Sequence, residues 1–412
     1  LGANTTGASN TAVGQASLGT NTTGANNTAV GQGSLTANTT GEYNVAVGTT
    51  ALDANTTGGQ NTGIGYGALS GTTTSSNNTA VGFESLITNT TGGENTAIGR
   101  DSLKLNTTAS NNTAVGFNSL AANTTGTVNT AVGAYALDAN TTGSYNTAVG
   151  QGSLTASTTG TQNTAIGYQS GAGITGASNF NVAIGDETMI TSGVKSYNTA
   201  VGSDALRACT TGGSNVAIGY TALTANTDAG NNTAVGNFAM GVNTTGDRNV
   251  AMGANALDAN TTADGNTGIG YRALSSNTTA ELNTAVGFDA LFANTTGVNN
   301  TALGANSLDA CTTGNNNTAL GISALSASTT GSQNTAVGRA VLQSTTTAAG
   351  NTAIGESALQ ANTTGANNVA VGANALDAST TAANNTAVGK DALGANTTGA
   401  TNTAVGGGAM GA

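Results

Sequence analysis

An asparagine opens the five-residue element N-[TV]-A-[VI]-G at Asn10, and the element recurs at Asn27, Asn44, Asn61 and onward to Asn402. The step is 17 residues every time but one, from Asn163 to Asn181, where it is 18. Self-similarity at a short fixed period decides the architecture before any other property of the chain. A body that repeats one cross-section offers no obvious unique pocket.

Numbered from its Asn, the repeat reads N-[TV]-A-[VI]-G-x-x-[AS]-L-x-A-N-T-T-G-x-x. All 24 first positions are Asn and all 24 fifth positions are Gly. Position four is always Val, Ile, Leu or Met, and position nine is Leu or Met in every coil except at Gly171. Two regularly placed large apolar residues per coil cannot support a helical bundle, whose helices need three or four per two turns. They suit an all-β fold, a parallel β-solenoid or β-roll of 17-residue coils, in which identical residues stack from coil to coil. Residues 1–412 are expected to form one continuous array without separate domains, interrupted only by the irregular coil 163–180. Coils about 4.8 Å apart would give a rod of roughly 115 Å. The chain starts and stops in mid-repeat, and it is expected to be a segment of a longer fibre.

Strand alternation assigns faces. Positions two and four share one side, and stacked Val and Leu ladders are expected to form the core. Positions nine, eleven and thirteen are expected to share a face. Gly at positions five and fifteen is expected at corners that need positive φ. Asn at position one is expected to stack at a turn, its amides satisfying backbone and neighbouring amides. Position three is Ala in 22 coils and Gly at Gly63 and Gly268. That restriction means close approach by backbone: either the coil is flattened and this face is internal, or it packs against a second chain. The second reading is preferred.

The elements Asn181–Gly185 and Asn215–Gly219 read N-V-A-I-G, and position eight, Ala or Ser in the consensus, is Ala222 in the second and Thr188 in the first. They resemble the head repeats of trimeric autotransporter adhesins. The fuller string N-T-A-V-G-x-x-A-L-x-A-N-T-T-G is similar to repeat arrays of phage tail-fibre-like proteins. The resemblance covers the whole chain, although the coil is longer than the usual adhesin-head coil. It implies a left-handed roll assembled as a homotrimer, in an adhesive or structural fibre that is extracellular, on a cell surface or on a virion. The implied partner is the chain itself, side by side and end to end.

Composition limits the chemistry. The chain has no His, Pro or Trp, and 19 acidic residues against 8 basic give a net charge of -11. Nucleic acid is an unsuitable partner, because its binding needs clustered Lys and Arg. No apolar run approaches the ~20 residues of a membrane span. Without His, acid–base catalysis would fall to carboxylates, Lys, Tyr or Cys, so no enzymatic activity, catalytic residue or cofactor is expected. An enzyme would need a pocket in the irregular coil, where Ile174 and Phe180 break the pattern, and a kink is the plainer expectation there. Asp53, Asp138, Asp258, Asp309 and Asp377 fill position ten but never in adjacent coils, as a solvated face requires. Glu84 with Asp101, and Glu187 with Asp204, stack at position seven. Each pair could hold a cation, but Arg100 and Arg207 beside them favour a mixed-charge surface. No structural metal is expected.

Three further features invite a functional reading. Cys209 and Cys311 both take position twelve, normally Asn, and are expected to be small members of that ladder; an interchain disulfide is the sharper alternative. The same position makes N-T-T sequons at Asn4, Asn21, Asn38 and Asn55, which turn-forming Asn explains without glycosylation. Finally, Tyr66, Phe83, Phe117, Tyr168, Tyr220, Tyr271 and Phe288 share position six. Exposed aromatics can stack on sugars, so this stripe is the candidate for weak, multivalent contact with surface glycans. The plainer reading has them covering the edge of the Val ladder or a seam between chains. A flat repetitive face that recognises ice is the other alternative, but Thr at positions thirteen and fourteen points to opposite sides and leaves no two-column threonine array.

Overall fold

The computed structural model describes residues 1–411. It divides into two compact units, one of Leu1–Asp204 with Cys209–Thr211 and one of Ala205–Ala208 with the chain from Gly212 on. Each is a parallel β-solenoid. The first carries twelve three-residue strands, from β1 (Thr11–Val13) to β12 (Thr199–Val201), and the second twelve more, from β13 (Val216–Ile218) to β24 (Thr403–Val405). Within each unit every strand pairs in parallel with the next at identical repeat positions, as Ala114 does with Ala131 and Ala285 with Ala302.

Outside the strands, backbone bonds continue to join the coils. Leu35 donates its N–H to the Ala51 carbonyl at 3.0 Å, Ala37 donates to Asp53 at 3.0 Å, and Thr39 donates to Thr56 at 2.9 Å. Thr39 Oγ1 donates to the Thr56 carbonyl as well, so the position-thirteen hydroxyl is used in coil stacking.

The core differs from the expected one. In strand after strand the middle Ala of position three is fully buried, while the Val or Ile of position four is half-buried or exposed. Position three is therefore interior, not a contact with a second chain, and position four is not a core ladder. At position three the interior is too narrow for a β-branched residue. A methyl built on Gly63 would lie 3.1 Å from the Ala68 carbonyl oxygen and 3.3 Å from Leu52 Cγ, which leaves room for Ala and little else.

Positions nine, twelve and fifteen, not nine, eleven and thirteen, line the other inner wall. The N–H of Asn38 donates to the Leu35 carbonyl at 3.2 Å, so the chain turns here and the inward period is three residues. The leucine of position nine has positive φ in coil after coil, 49° at Leu18 and 53° at Leu120. A left-handed backbone costs about 1–2 kcal/mol per residue. Full burial of the leucine, about 1.5–3 kcal/mol, offsets it.

The glycine of position five adopts φ between 122° and 143°, as its corner role requires. The glycine of position fifteen does not have positive φ. It is small because a methyl on Gly24 would meet the Gly41 carbonyl oxygen of the next coil at 2.3 Å. Ala109 and Ala229 nonetheless occupy the same position, buried, so this contact relaxes when a methyl is present.

The 18-residue step is absorbed without disturbing the strands. Thr164, Ala165 and Ile166 pair with Val182, Ala183 and Ile184 in normal register. The Ile174 N–H makes the usual turn bond to Gly171, and Ser178 already acts as the fifteenth residue by accepting from Asn163. The extra residue thus falls between Ile174 and Ser178. Ile174 also explains the missing leucine: its Cδ1 lies 3.1 Å from where a methyl on Gly171 would be. An Ile at position twelve fills the space that Gly at position nine vacates.

Candidate functional site

Two asparagine columns occupy the buried interior, and their amides are consumed by structure. Asn44 Oδ1 accepts the Asn61 backbone N–H at 3.0 Å, and its Nδ2 donates to the Gly58 carbonyl at 2.9 Å. At position twelve Asn55 Nδ2 donates to Asn38 Oδ1 and to the same Gly58 carbonyl, both at 2.9 Å. The structural reading of the Asn rows holds. With Asn21, Asn38 and Asn55 fully buried, the sequons at these positions have no room for a glycan in the folded chain.

The position-twelve ladder is interrupted in a regular way. Asn55, Asn140, Asn294 and Asn362 have buried Oδ1 atoms with no partner. In each case the next coil carries a residue other than Asn at position twelve: Thr72, Ser157, Cys311 and Ser379. Restoring the amide should therefore stabilise the fold. Ser379→Asn is expected to gain about 1–2 kcal/mol by satisfying Asn362 Oδ1, read as a raised thermal midpoint. An unchanged or lowered midpoint would contradict the ladder.

Cys209 and Cys311 are buried members of this column, out of reach of a second chain. Burial pushes the Cys311 thiol up to about 11, which keeps it protonated and unreactive.

Among the carboxylates, Lys104 lies between Glu84 and Asp101, its Nζ at 2.8 and 2.9 Å, and Arg100 Nε lies 3.1 Å from Asp101. Hydrogen bonds from the Lys104 ammonium to the two carboxylates raise its pKa. This pair is a mixed-charge surface cluster. Among the described residues no group of three His, Cys, Asp or Glu is placed to hold a metal. Asp53 and Asp309 at position ten have raised pKa values, chiefly because burial disfavours the carboxylate.

The seven aromatics of position six are all exposed, but they do not make one platform. Tyr66 and Phe83 stack on each other with centroids 5.2 Å apart. The Arg100 guanidinium lies 5.6 Å from the Phe83 ring and 5.9 Å from Phe117. Phe117 also meets Tyr135 edge-on. In the second unit Tyr271 stacks on Phe288, and Arg272 lies over Tyr271 and Phe292. Tyr220 meets Phe238 edge-on. Rings one coil apart thus spend their faces on each other or on arginine. Tyr168 differs, because it borders a cavity with Tyr135. Sequence reasoning passed over Tyr135 and Phe238, which stand at position seven instead of six.

In each unit the strand face is a uniform outer surface. Positions two and four point outward from every strand, with Thr or Val at the first and Val, Ile, Leu or Met at the second. Val47, Ile64, Ile98, Ile218, Leu303 and Ile354 are exposed. No charged residue occurs at either position in any coil. No protein-family model and no curated protein sequence matches the chain.

Proposed function

We propose that the chain is a structural segment of an extracellular or virion fibre that assembles through its strand faces as a homotrimer and performs no catalysis. The uncharged apolar column at position four carries this reading. A row of outward-facing apolar residues that never admits a charge is what an interface requires and what a solvated face does not. The face repeats at one spacing from coil to coil, so a second copy matches it coil for coil. At about 4.8 Å per coil and roughly 10 Å across, twelve coils offer on the order of 600 Å² per protomer. Counted on both partners, the face of one unit alone reaches the roughly 1,200 Å² at which stable interfaces begin. The resemblance to trimeric adhesin heads supports three chains, and that to tail-fibre repeats supports a shaft.

Light scattering with size-exclusion chromatography tests the reading. The purified chain should run at three times its 39.3 kDa. Val115→Lys with Val149→Lys should convert it to monomer while its circular dichroism stays unchanged, since neither side chain enters the core. A parent chain that is monomeric at micromolar concentration would overturn the proposal.

A further inference from the structure

We propose that the notch over Gly152, in the first unit, binds one neutral pyranose ring of a glycan. The notch has a volume of about 330 Å³ and is bordered by Tyr135, Gln151, Gly152, Thr155, Tyr168 and Gln169. It exists because position seven loses its side chain in one coil while a tyrosine stands in the coil on either side. A methyl built on Gly152 would touch only Gln169 Cγ, at 3.6 Å, so the space above this residue is open.

The size of the opening fits a sugar ring. Tyr135 and Tyr168 belong to coils two steps apart, about 10 Å at the spacing of parallel strands. A ring held between two walls by carbon contacts needs roughly 7–8 Å. Aromatics one step apart leave no such gap, as the 5.2 Å separation of Tyr66 and Phe83 demonstrates. Three other glycines share position seven, and none has a tyrosine on both sides. Gly67 has Ile87 Cδ1 at 3.4 Å from its methyl position, Gly33 is flanked by Ala16 and Thr50 in place of rings, and Gly408 follows Asp391.

The polar groups select the chemistry. The Gln151 and Gln169 amides make no side-chain hydrogen bond among the described residues and offer both donors and acceptors to hydroxyl groups. Thr155 Oγ1 donates to Asp138 Oδ1 at 2.6 Å, which leaves its lone pairs to accept. No Lys or Arg borders the notch, and the nearby Asp138 carboxylate disfavours an anion, so acidic sugars are excluded. Tyrosine walls receive the apolar C–H face of a pyranose while the amides take its hydroxyls, the usual division of labour in a small-ligand site.

Saturation-transfer NMR on the full chain with the methyl glycosides of glucose, galactose and mannose tests this. Transfer from at least one glycoside is expected, with a dissociation constant of about 1 mM or weaker. Tyr168→Ala should weaken it by about tenfold or more. Gly152→Asn should abolish it by filling the notch. That substitution suits the backbone: Gly152 has φ 66°, and Asn118, Asn255, Asn306 and Asn374 hold the same repeat position at φ 53–55°. Gly33→Asn is the matched control and should change nothing. No transfer from any of the three glycosides, transfer that survives Gly152→Asn, or equal loss in Gly33→Asn would each overturn the proposal. So would stronger transfer to N-acetylneuraminic acid or to N-acetyltyrosinamide. Gln151 and Tyr168 stand two residues from Val149 and Ile166 of the position-four column, so the mass of each variant is measured beside its sugar binding, and loss of transfer at unchanged mass separates the two readings.

Discussion

Replacing Gly116 with alanine is expected to destabilise its unit by about 3 kcal/mol or more, a large effect for one methyl group on the rim of a coil. Two causes add. Gly116 has φ 136°, outside the regions open to residues with a Cβ. The new methyl would also lie 2.5 Å from the Gly133 carbonyl oxygen. That oxygen belongs to the next coil, so relief requires lengthening the stacking distance that all the inter-coil bonds share. Gly126, ten residues on in the same coil, is the control. Its methyl would lie even closer to a carbonyl, 2.2 Å from that of Gly143, yet alanine occupies the equivalent position at Ala109, Ala263 and Ala382 and stays buried. The contact relaxes; a φ of 136° does not. Gly126→Ala should cost less than about 1 kcal/mol. Urea unfolding of the two variants decides the matter, and equal losses would show that φ is not what holds position five to glycine.

The same pair shows how much of the fold was legible in the sequence. Both glycines recur at a fixed place, and recurrence alone led to one explanation, a corner with positive φ. It was right for Gly116 and wrong for Gly126, whose constraint comes from a carbonyl in another coil. The alternation rule erred in a related way. It grouped Val115 with the core because large apolar residues are normally inside, and it set Ala114 outside. In a coil this thin the interior is filled chiefly by Ala, Leu and two asparagines, and the β-branched residues of position four are left on the surface. The clue was present: position three admits only Ala or Gly, which is the mark of a tight interior. The candidate site was legible only in part. The exposure of Tyr168 followed from its register, but its cavity depends on Tyr135 and on the absent side chain at Gly152, two and one coils away.

Asn112→Ala should cost about 3–4 kcal/mol, and Asn123→Ala, in the same coil, distinctly less. Both are fully buried or nearly so, and both donate to the Gly126 carbonyl at 2.9 Å. What differs is the group that each oxygen satisfies. Asn112 Oδ1 accepts the backbone N–H of Asn129 at 2.9 Å, and that N–H has one hydrogen to give. Removing the acceptor leaves a buried donor stranded beside a new cavity, and the two penalties add. Asn123 Oδ1 instead accepts from Asn140 Nδ2, which also donates to the Gly143 carbonyl at 3.0 Å. Its loss leaves one of two amide hydrogens unpaired, and the Gly126 carbonyl keeps Asn112. The chain itself displays the difference. Position twelve accepts Thr72, Ser157, Ile174 and Cys311, whereas position one is Asn in all 24 coils. Hydrogen exchange locates the effect: the Asn129 amide should exchange far faster in Asn112→Ala than in Asn123→Ala. If the Asn123 variant were as unstable as the Asn112 variant, a stranded backbone donor could not be the reason that position one never changes.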